Sequence, residues 1–177
     1  MLTDWFGPLG HGAAEAGDLM EENHRQDAAA DALILGRRTF QDFRGCWPQR
    51  TDDTTGITDY LNRVHKYVVS STLTEPAWEN STIISSDPIE HVRALQQQDG
   101  LDIVVTGSIT LTHALIRARL VDEYRLFVYH SVQGRGRRLF PDGHEIPLLR
   151  LTDSKAFRSG VTLQRYASAS PTTPGPL

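Results

Sequence analysis

Apolar residues fall in short blocks set off by small or charged ones, and the period of those blocks changes along the chain. Residues 12 to 30 are rich in Ala and Glu, lack proline and hold one internal glycine, Gly17, which predicts a helix packed through Ala16, Leu19 and Met20. Leu33-Ile34-Leu35 is a continuous apolar run of the kind a sheet buries on both faces. After it, Thr39 to Phe43 reads as a short helix that ends near Gly45 and Trp47-Pro48. The pattern returns in Tyr67-Val68-Val69, which stops at Ser70-Ser71, and in Ser81 to Ile84, which runs into an Asp87-Pro88 helix start with Ile89, Val92 and Leu95 on one face and Gly100 as its close.

Asp102 to Thr106 is the clearest buried strand. Beyond Gly107-Ser108, Leu111, Ala114, Leu115 and Ala118 recur at i, i+3, i+4 and i+7, the spacing of a helix that faces a sheet. From Asp122 the blocks lengthen: strands are expected over Glu123 to Val132, Leu148 to Phe157 and Val161 to Tyr166, with a Ser159-Gly160 turn between the last two. The whole predicts one α/β domain over residues 1–167, a mostly parallel sheet extended by antiparallel C-terminal strands, followed by a disordered Pro-rich tail over 168–177.

The length of 177 residues is enough to bury roughly 70% of the unfolded surface. A formal net charge of −4 with mixed signs offers neither a basic face for nucleic acid nor a polybasic membrane anchor, so a small soluble ligand is expected. The lone cysteine, Cys46, reads as packing, and the absence of a signal-peptide pattern or a spanning apolar run suggests the cytoplasm. No HExxH or close Cys/His cluster occurs, so no metal is expected. GxGxxG and GxxxxGK[ST] are both missing, which removes Rossmann dinucleotide binders and P-loop nucleotidases.

Three strands end in small or charged polar groups: Gly36-Arg37-Arg38-Thr39, Ser70-Ser71-Thr72 and Gly107-Ser108-Ile109-Thr110. Ligands of open α/β sheets bind at the carboxyl ends of parallel strands. A helix N-terminus offers unpaired N–H groups there, and an arginine fork matches phosphate. Each turn alone is ordinary: a tight turn, a serine turn, a solvated arginine. Together they suit a phosphorylated ligand. "GRGRRLF", Gly134 to Phe140, reads as a glycine-rich connection with solvated arginines, and Asp18, Glu21 and Glu22 as the wet face of the first helix.

Taken in order, "ADALILGRRTF", "KYVVSSTL", "GLDIVVTGSITLTHALIRARLVDEYRLFVY" and "GRGRRLF" resemble the bacterial bifunctional deaminase-reductase C-terminal domain family of the dihydrofolate reductase superfamily, over about residues 28 to 142. The resemblance implies a dihydrofolate reductase-like three-layer α/β/α fold, NADPH as cofactor and hydride transfer to a pterin-like or flavin-precursor ring. It places Gly36 to Thr39 at the cofactor's phosphates, Ser70 to Thr72 near the adenosine 2′-phosphate, and Gly107, Ser108, Ile109, Thr110 and Leu111 at the pyrophosphate-binding helix start. Phe140 matches a family position of no derivable role. A homodimer is also implied.

On the same resemblance the first helix borders the substrate, which makes Asp18 and Glu22 the carboxylates available as proton donors. The family's usual first strand has no counterpart in "MLTDWFGPLGHG". A late start, a strand from a partner chain and a rebuilt pocket each account for that, and a missing central strand leaves two sheet edges unpaired. Against the reductase stand a non-catalytic nucleotide-binding dimer of the same fold and a purely structural module.

Overall fold

The structure, a computed structural model, describes residues 17–146 and 148–168. The chain runs α1 (Gly17–Ala28), β1 (Ala30–Gly36), α2 (Arg37–Arg44), α3 (Ile57–Arg63), β2 (His65–Val69), β3 (Ser81–Ile84), α4 (Pro88–Leu95), β4 (Asp102–Val105), α5 (Ile109–Arg117), β5 (Glu123–Val128), β6 (Leu149–Ala156) and β7 (Thr162–Ser168). Two sheets result: a parallel one in the order β3-β2-β1-β4 and an antiparallel one in the order β5-β7-β6. No helix among the described residues is long and apolar enough to cross a membrane.

A strand covered on both faces must be apolar at successive positions, and β1 is the case in point, with Leu33, Ile34 and Leu35 at most 1% exposed. Leu33 and Leu35 face Phe40 of α2, Tyr60 and Leu61 of α3, Val68 and Trp78. Ile34 faces the other way, onto Val92 of α4 and Leu111 and Leu115 of α5. One strand thus serves two cores.

Lys66 of β2 is fully buried in the first core. Its Nζ donates to the carbonyls of Leu61 (2.6 Å) and Val64 (2.9 Å) at the end of α3, and lies 4.6 Å from the centre of the Trp78 ring. Burial pushes the ammonium down to about 8.

The described part of the first helix ends at Ala28, earlier than expected, because β1 already begins at Ala30; residues 12–16 lie outside the described residues. Leu19 and Met20 are half-buried, and the buried residue of α1 is Glu22. Helix α3 was not anticipated. Gly100 does not close α4, which ends at Leu95; a Cβ at Gly100 would meet the Asp31 carboxylate at 2.9 Å, and that carboxylate accepts the Leu101 N–H. The antiparallel strands differ from expectation by a few residues, β5 stopping at Val128. Ser168, expected in the tail, closes β7, its N–H donating to the Asp122 carbonyl and its hydroxyl to that of Val121. The rest of the expected tail lies outside the described residues.

α1 lies on one face of the antiparallel sheet, where Leu19 packs with Phe127, Phe157 and Leu163. Among the described residues no backbone ladder joins the two sheets, so β4 and β5 each keep one unpaired edge. β4 packs into both cores of the parallel sheet through Val104 on one side and Ile103 and Val105 on the other, yet none of its residues is fully buried. Arg125 of β5 reaches across to Asp102 of β4 at 2.6 Å and also grips Glu123. That ion pair sets the start of β4 close to the start of β5.

Candidate functional site

The carboxyl ends of β1, β2 and β4 lie next to one another because the strands do. At β1 the chain turns at Gly36 directly into α2, and at β4 it turns through Gly107 and Ser108, both left-handed, into α5. One hydroxyl ties these turns together. Ser108 Oγ accepts the Gly36 N–H (2.8 Å) and lies 3.0 Å from Thr39 Oγ1, which accepts the Ser108 N–H (3.2 Å). Three hydrogen bonds hold Ser108 at φ 51°, a conformation a non-glycine residue keeps only when its surroundings enforce it. At Gly107, with φ 59°, a Cβ would come within 3.2 Å of the Thr39 methyl, so glycine is required there on two counts. At Gly36 a Cβ would meet Ser108 at an ordinary 3.5 Å.

Beside these turns a cavity of about 450 Å³ opens, lined by Arg37, Ser70, Ser71, Thr72, Ser85 and Pro88 with Val69 and Ile84 at its floor. Ser70 is buried, and its Oγ accepts the N–H groups of Thr72 (3.2 Å) and Leu73 (2.9 Å). The Ser70 hydroxyl therefore shapes the loop, leaving Ser71 and Thr72 to meet a ligand. Arg37 holds Gln41 at 3.0 Å along α2 from the rim of the cavity. Arg38 is exposed and does not line it. In α5 the first N–H groups have no intrahelical partner and no acidic residue occupies the first turn. Leu111 is 8% exposed in the apolar core, so only its backbone is available to a ligand.

A dihydrofolate reductase-like topology is what this strand order and these turns amount to, and comparison with known proteins agrees. The model of the RibD C-terminal domain matches residues 10–163. The chain belongs to that family. A Bacillus subtilis (strain 168) protein, the uncharacterized protein YyaP, is 33% identical over 135 residues, 74% of this chain and 70% of its own. Among solved structures, a putative riboflavin biosynthesis protein from Shewanella sp. PV-4 superposes with a TM-score of 0.65 at 16% identity over 94% of this chain and 88% of that one. The Thermotoga maritima diaminohydroxyphosphoribosylaminopyrimidine deaminase/5-amino-6-(5-phosphoribosylamino)uracil reductase matches with 0.61 at 15% identity over 86% of this chain and 49% of its own. Dihydrofolate reductase from Enterococcus faecalis, complexed with NADP(H), gives 0.53 at 17% identity, covering 85% and 82%.

Two residues of this RibD C-terminal domain do not fit the part the sequence suggested. Glu22 is 4% exposed and accepts from Arg25 (2.5 Å), Gln26 (2.9 Å) and Arg165 of β7 (3.0 Å), with Lys155 at 3.6 Å. These donors outweigh the burial of its carboxylate and hold it down to about 2. An anion so bound is a tie between α1 and the antiparallel sheet; it carries no proton to give at neutral pH. The Asp18 carboxylate accepts the N–H groups of Leu19 and Arg158 and is also held below the usual range, the Arg158 N–H being the largest cause. It fastens the start of α1 to the turn between β6 and β7.

The arginines of "GRGRRLF" are exposed, as the solvated reading expects, and two contacts anchor the connection to α5. Arg137 donates to Thr110 Oγ1 in the first turn of α5 at 3.1 Å, and the Arg138 carbonyl lies 3.0 Å from His113 Nε2. Phe140, of no derivable role in the sequence, packs edge-on against Tyr124 of β5 at 5.4 Å. The cavity residues the sequence did not single out are Ser85 and Pro88. Their signal was present: Ser85 follows a strand as Ser70 does.

Proposed function

We propose that the chain is an NADPH-dependent reductase that passes a hydride to a small electron-poor heterocycle of the pterin-like or flavin-precursor class. The observation that carries the reading is the set of three turns, Gly36–Thr39, Ser70–Thr72 and Gly107–Leu111, at the carboxyl ends of adjacent parallel strands: Arg37 and the second turn line one cavity, and Ser108 ties the third turn to the first. These residues fit a phosphorylated dinucleotide. Arg37 with Ser71 and Thr72 would hold the 2′-phosphate, and the free N–H groups of α5 would hold the pyrophosphate, which the lack of a Cβ at Gly107 lets come close. When bound, the cofactor supplies the hydride. The protein would orient it along the strand ends, toward the β4 side of the parallel sheet, where the acceptor would lie. Ser108 acts by fixing the two phosphate turns relative to each other. Neither Asp18 nor Glu22 is assigned as a proton donor.

Calorimetric titration of NADPH and NADH tests the cofactor reading. One charge-assisted contact is worth about 1.5–3 kcal/mol, so Arg37→Ala should weaken NADPH roughly 10- to 150-fold and leave NADH nearly unchanged. Arg38→Ala should change neither, since its side chain does not line the cavity. Equal weakening of both nucleotides by both variants would sink the 2′-phosphate assignment. NADPH consumption against oxidised pterins, pyrimidinones and quinones tests the chemistry; tight NADPH binding with no turnover on any of them would favour a binding protein of the same fold. Among the described residues, the unpaired edges of β4 and β5 and the ion-paired state of Asp18 and Glu22 are what support that second reading.

A further inference from the structure

The basic connection Gly134 to Arg138 has no part in the cofactor site described above, yet the structure does not leave it loose. Arg138 has a counter-charge, Asp142, at 2.9 Å. Arg137 has no carboxylate partner among the described residues, and its guanidinium donates instead to Thr110 Oγ1 at 3.1 Å. The Arg138 carbonyl lies 3.0 Å from His113 Nε2. Thr110 and His113 are three residues apart on α5 and so share a face, along which the connection docks. An exposed arginine is thereby held at a fixed place.

That place is the positive end of a helix. The Thr112 N–H is bonded to the Ser108 carbonyl, which leaves the N–H groups of Ile109, Thr110 and Leu111 ahead of the helical ladder. A helix N-terminus favours anions and disfavours cations, and the first turn of α5 holds no acidic residue. Here a guanidinium is tied to the second residue of that turn. Two positive groups set together without a counter-charge make a site that an anion completes. The fork has five N–H donors, and the single bond to Thr110 orients it while leaving donors over.

We propose that Arg137 is the side-chain half of the pyrophosphate site, gripping the cofactor's diphosphate while the N–H groups of α5 meet its other oxygens. The inference rests on the cofactor reading above and adds to it a residue from outside the three turns. Its effect differs from that of Arg37. The 2′-phosphate belongs to NADPH alone, whereas the diphosphate is common to NADPH and NADH; Arg37 therefore sets preference between them and Arg137 sets affinity for both. A planar fork engages two phosphate oxygens at once, which a lysine ammonium does only as a point charge.

Affinities of the full chain for NADPH, NADH and adenosine 2′-monophosphate, measured by calorimetry, separate the two arginines. Arg137→Ala should raise the dissociation constants of both dinucleotides roughly tenfold or more, by similar factors, and leave adenosine 2′-monophosphate, which has no diphosphate, within about twofold. Arg137→Lys should recover part of the loss. Arg138→Ala, whose guanidinium is engaged by Asp142, should leave all three within about twofold. Without nucleotide, the urea midpoint of Arg137→Ala should not fall below that of wild type, because the guanidinium sits at a helix end of its own sign. A lower midpoint with unchanged affinities makes Arg137 a structural clasp and overturns the proposal. So does a loss confined to NADPH, which places the guanidinium at the 2′-phosphate. A wild-type chain that binds neither dinucleotide overturns the cofactor reading itself, and this site with it.

Discussion

Replacing Glu22 by glutamine keeps the side chain's shape and removes its charge, which separates a tie from a proton donor. Its hydrogen-bond donors hold the carboxylate down to about 2, below the 4.5 of a free glutamate side chain. At 1.36 kcal/mol per unit the shift corresponds to about 3 kcal/mol, close to the cost of leaving a buried charge without its partner. Arg165, 13% exposed, is the charge left behind; its Nε already lacks a hydrogen bond, and its remaining carboxylate neighbours, Glu123 at 3.8 Å and Asp153 at 3.9 Å, are beyond hydrogen-bond reach. The sign follows from linkage. The native state binds the Glu22 proton less readily than the unfolded state, so this stability is present above about pH 4.5 and is lost as pH falls toward 2. At pH 7 Glu22→Gln should therefore unfold about 3 kcal/mol more easily in urea and melt roughly 6–12 °C lower, and the gap to wild type should narrow steadily in titrations below pH 4.5. Turnover per folded molecule should be retained. An unchanged urea midpoint at pH 7 together with abolished turnover would refute the structural role and restore Glu22 as the acid.

Two further outcomes follow from single residues. Lys66 is held down to about 8, so between pH 8 and 10 the unfolded chain binds its proton and the native chain does not; wild-type stability should rise by about 2 kcal/mol over that window, and Lys66→Met should flatten the rise in urea midpoints measured at intervals of pH. The glycines at the phosphate turns should behave oppositely. Gly36→Ala places a methyl at ordinary contact distance, so the melting temperature should hold while NADPH binding weakens; Gly107→Ala, at φ 59° and against Thr39, should cost about 1–2 kcal/mol of stability as well. A Gly36→Ala protein that unfolds early would show that the turn itself, rather than the ligand's approach, needs the glycine.

The apolar blocks located β1, covered on both faces and so apolar at successive positions, and with it β2, β3 and β4, whose short apolar runs end at small polar residues. Periodicity missed α3, a seven-residue helix, although Ile57, Tyr60, Leu61 and Val64 carry the i, i+3, i+4, i+7 spacing, because so short a stretch gives that period only one repeat. The polar run before it has its own purpose. The Asp53 carboxylate accepts the N–H groups of Thr55 and Thr58 at 2.8 and 2.7 Å and ties the loop to the start of the helix. The three phosphate turns were legible because strand ends are marked by a change from apolar to small polar residues. What sequence spacing could not say is which arginine lines the cavity, since Arg37 and Arg38 differ only by 100° of helix. Nor could it place Arg137 against Thr110, a contact that depends on how a glycine-rich connection folds back. Glu22 looked like surface because its counter-charge on β7 is 143 residues away.

A guanidinium joins the two sheets. Arg125 of β5 and Asp102 of β4, 23% and 45% exposed, make the contact, while Glu22 and Arg165 tie α1 to β7 within the antiparallel half. A ladder of peptide hydrogen bonds is indifferent to ionic strength, whereas a half-exposed ion pair is screened within about 10 Å at 0.1 M salt. Added salt therefore loosens this contact between the sheets before it reaches either apolar core.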